Sequence, residues 1–450
     1  RSPGAQPVAF AFGGEAQPAD YARAMADGGL LALLACLGLA QPTHETTSYL
    51  VQLCCTTLVF YGLATGPQSK TLAATALAAG MVGLVLSGAP TLALLYALGA
   101  AALYLSDTHA EPSERRHAVQ WSVLALASAL IAAALTWWLD AWRWKLAWPQ
   151  ELGKDWLDLA RLLVWFAWPA WPLALWTLWR WRRQILHRRP HLHLLLPLWF
   201  VLVTLGCAVG TLPSDRALLL SLPTLAALAA FALPTLRRSM SALIDWFTLL
   251  FFSASVIAIW VIWVSTQTGV PAKPAANVAK LARGFEPQFS AIAFAVALVA
   301  TLAWCALVWW RAGRHRSAIW KSLVLPAAGT TLCWLLLTTL WLPMLDYVRS
   351  DVPQMRTLAR LAGQPTCMHM YGLDRTQMAA LQFHGQLRLV PLDDTPRCDW
   401  LVHAPYASSA NARKPMPLPD LTGWTLQHRV DRPRERGDVL ELYRRHVPQD

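Results

Sequence analysis

The chain has 450 residues, a formal net charge of +12, 56% hydrophobic residues and only 14% charged residues. Soluble domains carry roughly 25% charged residues, so this composition excludes an ordinary soluble enzyme and indicates a membrane protein. A nucleic-acid-binding protein would gather its basic residues on one folded face. Here the Arg and Lys residues flank long apolar runs, which argues against nucleic acid as a partner.

The chain begins with a polar segment, residues 1–23. Its first twenty residues are rich in Ala, Gly, Pro and Gln and contain no secretory signal pattern. We therefore expect an N-terminal loop or an interfacial segment here.

Residues 24–343 form the predicted transmembrane region. A helix that crosses a bilayer needs roughly 18 to 25 apolar residues, and runs bounded by charge, Pro or Gly give about eleven such spans. They lie near residues 24–41, 47–65, 71–88, 90–106, 118–139, 157–180, 192–210, 217–236, 242–266, 290–310 and 321–343. The sequence therefore predicts a polytopic α-helical membrane protein.

The charges of the loops predict the orientation. Loops 181–191, 237–241 and 311–320 carry Arg clusters and no acidic residue, whereas the loops between them contain both signs. Because loops rich in Lys and Arg stay cytoplasmic, the Arg clusters should lie inside and the mixed loops outside. The same alternation places residues 41–46, residues 211–216 and everything after 343 outside the cytoplasm.

The segment 345–450 should accordingly be a small extracytoplasmic α/β domain. Periodicity predicts helices at Val352–Leu361 and 375–384, and short strands near 367–371, 387–392, 400–403, 424–430 and 439–443. Cys367 and Cys398 are the two cysteines outside the predicted spans. An oxidising compartment would permit a disulfide between them, but spacing leaves both the bridged and the unbridged form open.

Few ionisable residues lie deep in the predicted spans. Asp27, Asp140 and Asp245 all fall near predicted helix ends. Ion-coupled transporters place their ion and substrate sites near the bilayer midplane, so this distribution argues against that class. It favours chemistry at the outer membrane interface.

His44 and Glu45 occupy a short loop on the predicted outer side. One interpretation is a polar turn in which the Glu45 carboxylate is stabilised by the dipole of the following helix. The functional alternative makes Glu45 a carboxylate that positions a base or binds a metal, with His44 as its neighbour. We treat both residues as catalytic candidates.

Arg216 would lie about one helical turn inside the outer boundary, directly after Asp215. A guanidinium group at that depth matches the oxygens of a lipid phosphate. The simpler alternative is an Arg side chain that reaches the headgroups and pairs with Asp215. We assign Arg216 and Asp215 to the binding of a donor phosphate.

Two outer loops, 141–156 and 268–289, resemble amphipathic segments that lie on the headgroups. The second begins with a PAKP turn at 271–274, which contains Lys273. Lys273 is our third candidate for contact with the donor phosphate, although a merely interfacial role is the simpler interpretation for either loop.

Three motifs resemble those of the bacterial PMT-like glycosyltransferases with a GT-C fold, including the lipid A aminoarabinose transferase family. They are GTLPSDR at 210–216 followed by ALLLSLP, WPAWPL at 168–173 and the turn LSGAP at 86–90. The family has a Lys in the turn that corresponds to LSGAP, whereas this chain has Ser87 and Gly88 there. The Lys that precedes its Leu-Pro helix is Thr211, for which Arg216 could substitute.

The resemblance implies that the eleven spans correspond to the third to the thirteenth span of the family. An acidic pair in the family's first periplasmic loop acts as catalytic base, and no Asp-Glu pair occurs within residues 1–26. The family's second carboxylate follows its third span, where this chain has His44 and Glu45.

The implied activity is transfer of a sugar from a polyprenyl phosphate to a lipid or protein acceptor, by inverting displacement, at the bacterial inner membrane. A divalent metal is compatible with that chemistry, but no residue pattern specifies one. Two other classes stay open: a non-catalytic assembly or receptor protein, and a ligase or flippase component acting on lipid-linked glycans.

Overall fold

The computed structural model describes residues 8–9, 15–16, 18–40, 42–66, 69–106, 112–142, 154–186, 191–210, 214–312, 320–363, 365–392, 397–407, 414–415, 419–432 and 439–446. Contacts divide the chain into two units. The first comprises residues 1–255 and 300–334, and the second comprises residues 256–299 and 335–450.

The described residues of the membrane region are mostly helical. Its helices are α1 (Pro18–Ala35), α2 (Leu37–Ala40), α3 (Ser48–Thr65), α4 (Lys70–Leu86), α5 (Pro90–Leu105), α6 (Pro112–Trp138), α7 (Lys154–Phe166), α8 (Ala170–Arg180), α9 (Arg182–Leu186), α10 (Leu192–Val209), α11 (Ser214–Leu219), α12 (Leu222–Ala230), α13 (Arg238–Thr268), α14 (Ala272–Leu281), α15 (Ala291–Ala312), α16 (Lys321–Leu336) and α17 (Leu342–Arg349). Before α1, strands β1 (Val8–Ala9) and β2 (Glu15–Ala16) form a two-stranded antiparallel ladder. Helix α1 begins at Pro18, so the last residues of the predicted N-terminal segment 1–23 are helical, and the boundary at residue 24 stays a prediction.

Each predicted span falls on helical structure, but several are not single helices: residues 24–41 comprise α1 and α2 with a break at Cys36, and residues 321–343 include the π turn Leu337–Trp341. The segment 157–180 is divided into α7 and α8, which meet at an angle of 93°. The segment 217–236 is divided into α11, α12 and a 3-10 turn at Leu233–Thr235. Pro169 and Pro223 lie at these last two breaks, where their missing N–H groups interrupt the helical hydrogen bonds.

Six of the described helices are long and apolar enough to cross a membrane, or up to seven if the bent pair α7–α8 forms one span. Helices α4, α5 and the segment Leu222–Thr235 are apolar but shorter. The chain is thus a polytopic helical membrane protein, and the count of eleven spans stays a prediction.

The first unit contains two apolar cores that share α10. One core joins α3, α4, α5 and α6, and the stacked rings of Tyr96 and Phe200 lie inside it with centroids 4.0 Å apart. The other joins α1, α8, α11 and α12. Small residues allow close packing of α3 on α4, because a Cβ at Gly80 would lie only 2.8 Å from the carbonyl oxygen of Cys55.

Polar contacts between helices of the first unit join segments that the charge pattern predicts on the same side. Near the predicted outer side, the Gln52 amide donates to the Ser87 carbonyl at 2.8 Å. Near the predicted inner side, Arg311 pairs with Asp245, and the Trp176 indole donates to Thr235 Oγ1 at 3.1 Å. The predicted alternation of inner and outer loops is therefore compatible with these contacts between helices.

In the second unit, the π-helical turn Leu337–Trp341 separates α16 from α17. Pro343 follows it in the first turn of α17. The Trp341 indole N–H donates to the carbonyl of Ile259 in α13 at 3.2 Å. A π turn adds a residue to the helical turn and often marks a functional position.

The C-terminal region is a two-layer α/β structure. Helices α18 (Val352–Leu361) and α19 (Arg375–Gly385) pack on a five-stranded sheet of order β4-β3-β5-β9-β8. Its strands are β3 (Cys367–Tyr371), β4 (Arg388–Pro391), β5 (Trp400–His403), β8 (Trp424–Asp431) and β9 (Val439–Arg445). Strand β3 is parallel to β4 and β5, whereas β9 is antiparallel to β5 and β8. A separate two-residue ladder joins β6 (Tyr406–Ala407) and β7 (Lys414–Pro415).

Two features fix this domain, one within it and one at its connection to α17. Cys367 and Cys398 form a disulfide with their Cα atoms 5.6 Å apart, which answers the question that the sequence left open. Arg432, next to the end of β8, donates to the Arg349 carbonyl at the end of α17 and pairs with Asp351 at 3.1 Å. The predicted helices and strands of the domain are confirmed, while its extracytoplasmic location stays a prediction.

Candidate functional site

The site is built around an ion pair between Arg216 and Glu45, which are 171 residues apart in the chain. Arg216 Nε lies 2.8 Å from Glu45 Oε2, and Arg216 Nη2 lies 2.6 Å from the same oxygen. Both side chains are about one-third exposed, at 34% and 31%. The two residues that the sequence predicted for donor binding and catalysis therefore meet at the boundary between protein interior and surroundings.

Glu45 is held by a short turn before α3. The 3-10 turn Pro42–His44 precedes it, its own N–H donates to the Pro42 carbonyl at 3.2 Å, and its carbonyl accepts from Thr47 N–H at 2.9 Å. No side chain caps the N-terminus of α3 at Thr47. The Glu45 carboxylate thus engages Arg216 directly and does not act as a cap, although both roles draw on the same short loop.

Arg216 is positioned by the burial of the residues that follow it. Ala217, Leu218 and Leu219 of α11 are buried in the core formed with α8 and α12. Because these side chains fix the rotation of the short helix, Arg216 is left at its half-exposed edge. The same register would not arise from α11 alone, since a helix of six residues is marginal without tertiary packing.

The side-on geometry leaves part of each group free. A guanidinium group has five N–H donors, and Glu45 engages only the Nε and Nη2 side. Within the described residues, Arg216 forms no polar contact besides those with Glu45 Oε2, and Glu45 Oε1 forms no hydrogen bond. The pair can consequently offer donors to an anion and one carboxylate oxygen to a hydroxyl.

His44 is exposed, and its ring faces Trp334 of α16 at a centroid distance of 5.3 Å. Near this contact, Thr330 Oγ1 donates to the Ala35 carbonyl at 3.1 Å, where α1 ends. Trp334 was not singled out from the sequence, because a Trp within an apolar span carries no functional signal.

The other two candidates are not joined to this pair by the structure. The side chain of Asp215 lies outside the described residues, so its predicted contact with Arg216 stays a prediction. Lys273 is exposed on α14, in the second unit. Its assignment to the donor phosphate also stays a prediction.

A metal requires several ligands at one point. Among the residues that the structure describes, no group of three or more His, Cys, Asp or Glu side chains could hold an ion. Glu45 and His44 alone do not meet that requirement, so we derive no step through a metal.

No protein-family model and no curated protein sequence matches this chain. Its fold is similar to that of the crystal structure of ArnT from Cupriavidus metallidurans bound to undecaprenyl phosphate. The TM-score is 0.52 and the sequence identity 16%, over 95% of this chain and 85% of that one. The chain therefore has an ArnT-like GT-C fold, and the resemblance inferred from the motifs around residues 86, 168 and 210 is confirmed at the level of the fold.

Proposed function

We propose, from the ArnT-like fold and the Arg216–Glu45 pair, that the protein is a membrane glycosyltransferase that takes its sugar from a polyprenyl phosphate. The observation that carries the proposal is the pairing of a cation at the start of α11 with a carboxylate in the turn before α3, two segments predicted to face the outer membrane interface. The acceptor would be a lipid or a protein of the cell envelope, and the reaction an inverting displacement at the bacterial inner membrane.

Arg216 would bind the phosphate of the donor. Its free N–H groups can form charge-assisted hydrogen bonds with phosphate oxygens while the other edge stays on Glu45. Negative charge accumulates on the phosphate as the bond to the anomeric carbon breaks. A fixed guanidinium stabilises that charge without reorganisation, which lowers the barrier to departure of the lipid phosphate.

Glu45 would have two tasks. Through Oε2 it holds the guanidinium in one orientation, and through Oε1 it can accept a hydrogen bond from the attacking hydroxyl. In the displacement, the acceptor oxygen forms a bond to the anomeric carbon, and the electron pair of the broken C–O bond leaves with the phosphate. The hydroxyl proton passes to the base, and one displacement inverts the anomeric centre.

Three further residues complete the proposal. His44, next to Glu45 and against Trp334, would border the acceptor side of the site. Asp215 and Lys273 would adjust the charge around the donor phosphate. The positions of these residues in loops predicted to lie outside support the assignments. Each assignment can be tested by measuring sugar transfer after substitution of the residue.

The test is sugar transfer from a radiolabelled polyprenyl-phosphate sugar in membranes that contain the full chain. Arg216→Ala should weaken donor binding by about 10- to 150-fold, the equivalent of roughly 1.5 to 3 kcal/mol for a lost charge-assisted hydrogen bond. Arg216→Lys should restore only part of this, because an ammonium group cannot contact Glu45 and a phosphate in the same planar geometry.

Arg161→Ala is the matched control, since Arg161 forms an exposed pair with Asp158 at 3.5 Å on α7. That variant should transfer sugar at the wild-type rate. Unchanged transfer in Arg216→Ala would refute the assignment of Arg216, and absence of transfer in the wild type with every donor tested would favour a non-catalytic or flippase role.

A further inference from the structure

The residues that lead from the end of α1 to Glu45 do not form one continuous helix. Those that the structure describes comprise a break at Cys36, the four-residue helix α2 and the 3-10 turn Pro42–His44. Elements this short are marginal without tertiary contacts. The position of the Glu45 carboxylate, 2.8 Å from Arg216 Nε, therefore depends on the neighbours that hold this segment in place.

Both ends of the segment are bound to one helix, α16. At its start, the carbonyl of Ala35, the last residue of α1, accepts a hydrogen bond at 3.1 Å from Thr330 Oγ1. At its end, the ring of His44 lies 5.3 Å from the ring of Trp334, inclined by 40°. Residues four positions apart lie one turn apart on the same side of a helix. One face of α16 thus supports the segment up to the residue before Glu45.

The hydroxyl of Thr330 is directed away from its own helix. A Thr inside a helix commonly donates to the carbonyl four residues earlier, as Thr331 does to Ala327 at 2.8 Å. Thr330 is only 6% exposed and donates instead to the end of α1, where carbonyls lack partners within the helix. This hydrogen bond therefore joins two helices.

Other contacts hold α2 from the break between α7 and α8. The Leu37 N–H donates to the Trp168 carbonyl at 3.2 Å, and a Cβ at Gly38 would overlap the ring of Phe166. These contacts fix the start of the segment. The contact of His44 with Trp334, in contrast, lies directly beside Glu45 in the chain.

We infer that Thr330 and Trp334 are positioning residues, which hold the segment so that the Glu45 carboxylate meets Arg216. The expected effect on sugar transfer rests on the proposed function, whereas the effect on the segment does not. A displacement of about 1 Å can lower a catalytic rate by about 100-fold. Side chains that touch no substrate can consequently control turnover through Glu45.

The first measurement is hydrogen–deuterium exchange of the full chain in lipid nanodiscs, with mass spectrometry of peptides that cover residues 36–47. Several amides of this region donate backbone hydrogen bonds, so their exchange reports how often the region opens. Thr330→Val and Trp334→Leu should each speed that exchange by about 3- to 10-fold, as for the loss of one uncharged contact. Thr330→Ser keeps the hydroxyl and should exchange like the wild type.

The second measurement is steady-state sugar transfer with varied donor concentration. Thr330→Val and Trp334→Leu should lower kcat by about 3- to 10-fold and change the KM for the donor less, because Arg216 is retained. In a Glu45→Gln background, the same substitutions should have no further effect, since they act through the carboxylate. Contacts that serve only the fold would instead give additive losses.

Two substitutions serve as matched controls. Thr331→Val removes a hydroxyl that bonds only within α16, and Trp309→Leu removes an indole on α15 that is 82% exposed. Both variants should match the wild type in exchange of residues 36–47 and in transfer.

Unchanged exchange of residues 36–47 in Thr330→Val and Trp334→Leu would overturn the inference, and so would additive losses of kcat with Glu45→Gln. Faster exchange throughout the first unit would also overturn it, because the two residues would then support the whole fold. Faster exchange confined to this region, in a protein whose wild type transfers no sugar, would support the positioning of Glu45 and refute the proposed reaction.

Discussion

Arg216 contacts only one of the two carboxylate oxygens of Glu45, with Nε and Nη2 both directed at Oε2. A fork-to-fork pair would occupy both oxygens and both outer nitrogens. The side-on pair instead leaves N–H donors of Arg216 and the Oε1 atom of Glu45 available to a substrate. We therefore expect Arg216→Ala and Glu45→Gln to have different effects.

Glu45→Gln should lower the turnover number more than it changes donor affinity, because the amide keeps the shape of the side chain but loses its charge and its capacity to assist a base. Arg216→Ala should show the reverse pattern. Steady-state transfer with varied donor concentration separates kcat from KM. A Glu45→Gln variant that raises KM with kcat unchanged would contradict the division of roles.

The same pair should contribute little to stability. Half-exposed ion pairs are worth about 0.2 to 1 kcal/mol in double-mutant cycles. A cycle of Arg216→Ala, Glu45→Ala and the double variant, followed by thermal unfolding, should therefore give a coupling below about 1 kcal/mol. A much larger coupling would mean that lost activity reflects lost structure.

Reduction of the Cys367–Cys398 disulfide should destabilise the C-terminal domain. The bridge closes a loop of 31 residues, and the chain-entropy estimate for such a loop is roughly 3 to 4 kcal/mol. The chain has eight cysteines, of which two form the bridge. Thiol labelling of denatured protein should find the remaining cysteines before reduction and all of them afterwards. Full labelling without reductant would show that the bridge does not form.

Alkaline pH should unfold the same domain in a way that depends on Tyr443. Burial, and then the hydrogen bond of its hydroxyl to Glu441 Oε2 at 2.8 Å, raise the pKa of Tyr443 to about 12 from 10.0. A raised pKa means that the folded state favours the neutral phenol. The associated stability is complete below pH 10.0 and is lost as the pH rises through about 12.

Tyr443→Phe should remove that part of the pH dependence while lowering stability at neutral pH, because Glu441 loses a donor. The measurement is the free energy of unfolding between pH 9 and 12. Identical pH profiles for the variant and the wild type would argue against a perturbed Tyr443.

The tight contact between α3 and α4 predicts a strong difference between two glycines. A Cβ at Gly80 would lie 2.7 Å from a Val59 side-chain carbon and 2.8 Å from the Cys55 carbonyl oxygen, whereas a Cβ at Gly206 meets nothing within 4 Å. Gly80→Ala should cost about 1 to 3 kcal/mol by overpacking. Gly206→Ala, its control, should be neutral or slightly stabilising. Thermal unfolding in detergent compares them, and equal melting temperatures would contradict the packing.

The orientation can be tested with fusions of alkaline phosphatase, which is active only outside the cytoplasm. We expect activity after residue 350 and none after Arg189 or Arg316, because the Arg-rich loops should stay inside. An active fusion at Arg189 would invert the orientation and remove Arg216 and Glu45 from the outer face.

Apolar length located the helical segments, and period-two patterns located the strands β3, β5, β8 and β9, because both signals are local. The breaks near Pro169 and Pro223 escaped prediction, since the flanking residues remain apolar on both sides. The pair of Arg216 and Glu45 could not be read from either loop alone. Charge alternation indicated a common side of the membrane, but the distance across 171 residues depends on how α3, α11 and α12 pack.

Only residues 350 and 351 separate α17 from α18, and Arg432 binds both the end of α17 and Asp351. A connection this short, tied by a residue that directly follows β8, couples the orientation of α17 to that of the sheet. Rotation or tilt of the last membrane helix would therefore turn the five-stranded sheet with it. Removal of these contacts, for example in Arg432→Ala, would let the domain reorient independently of α17.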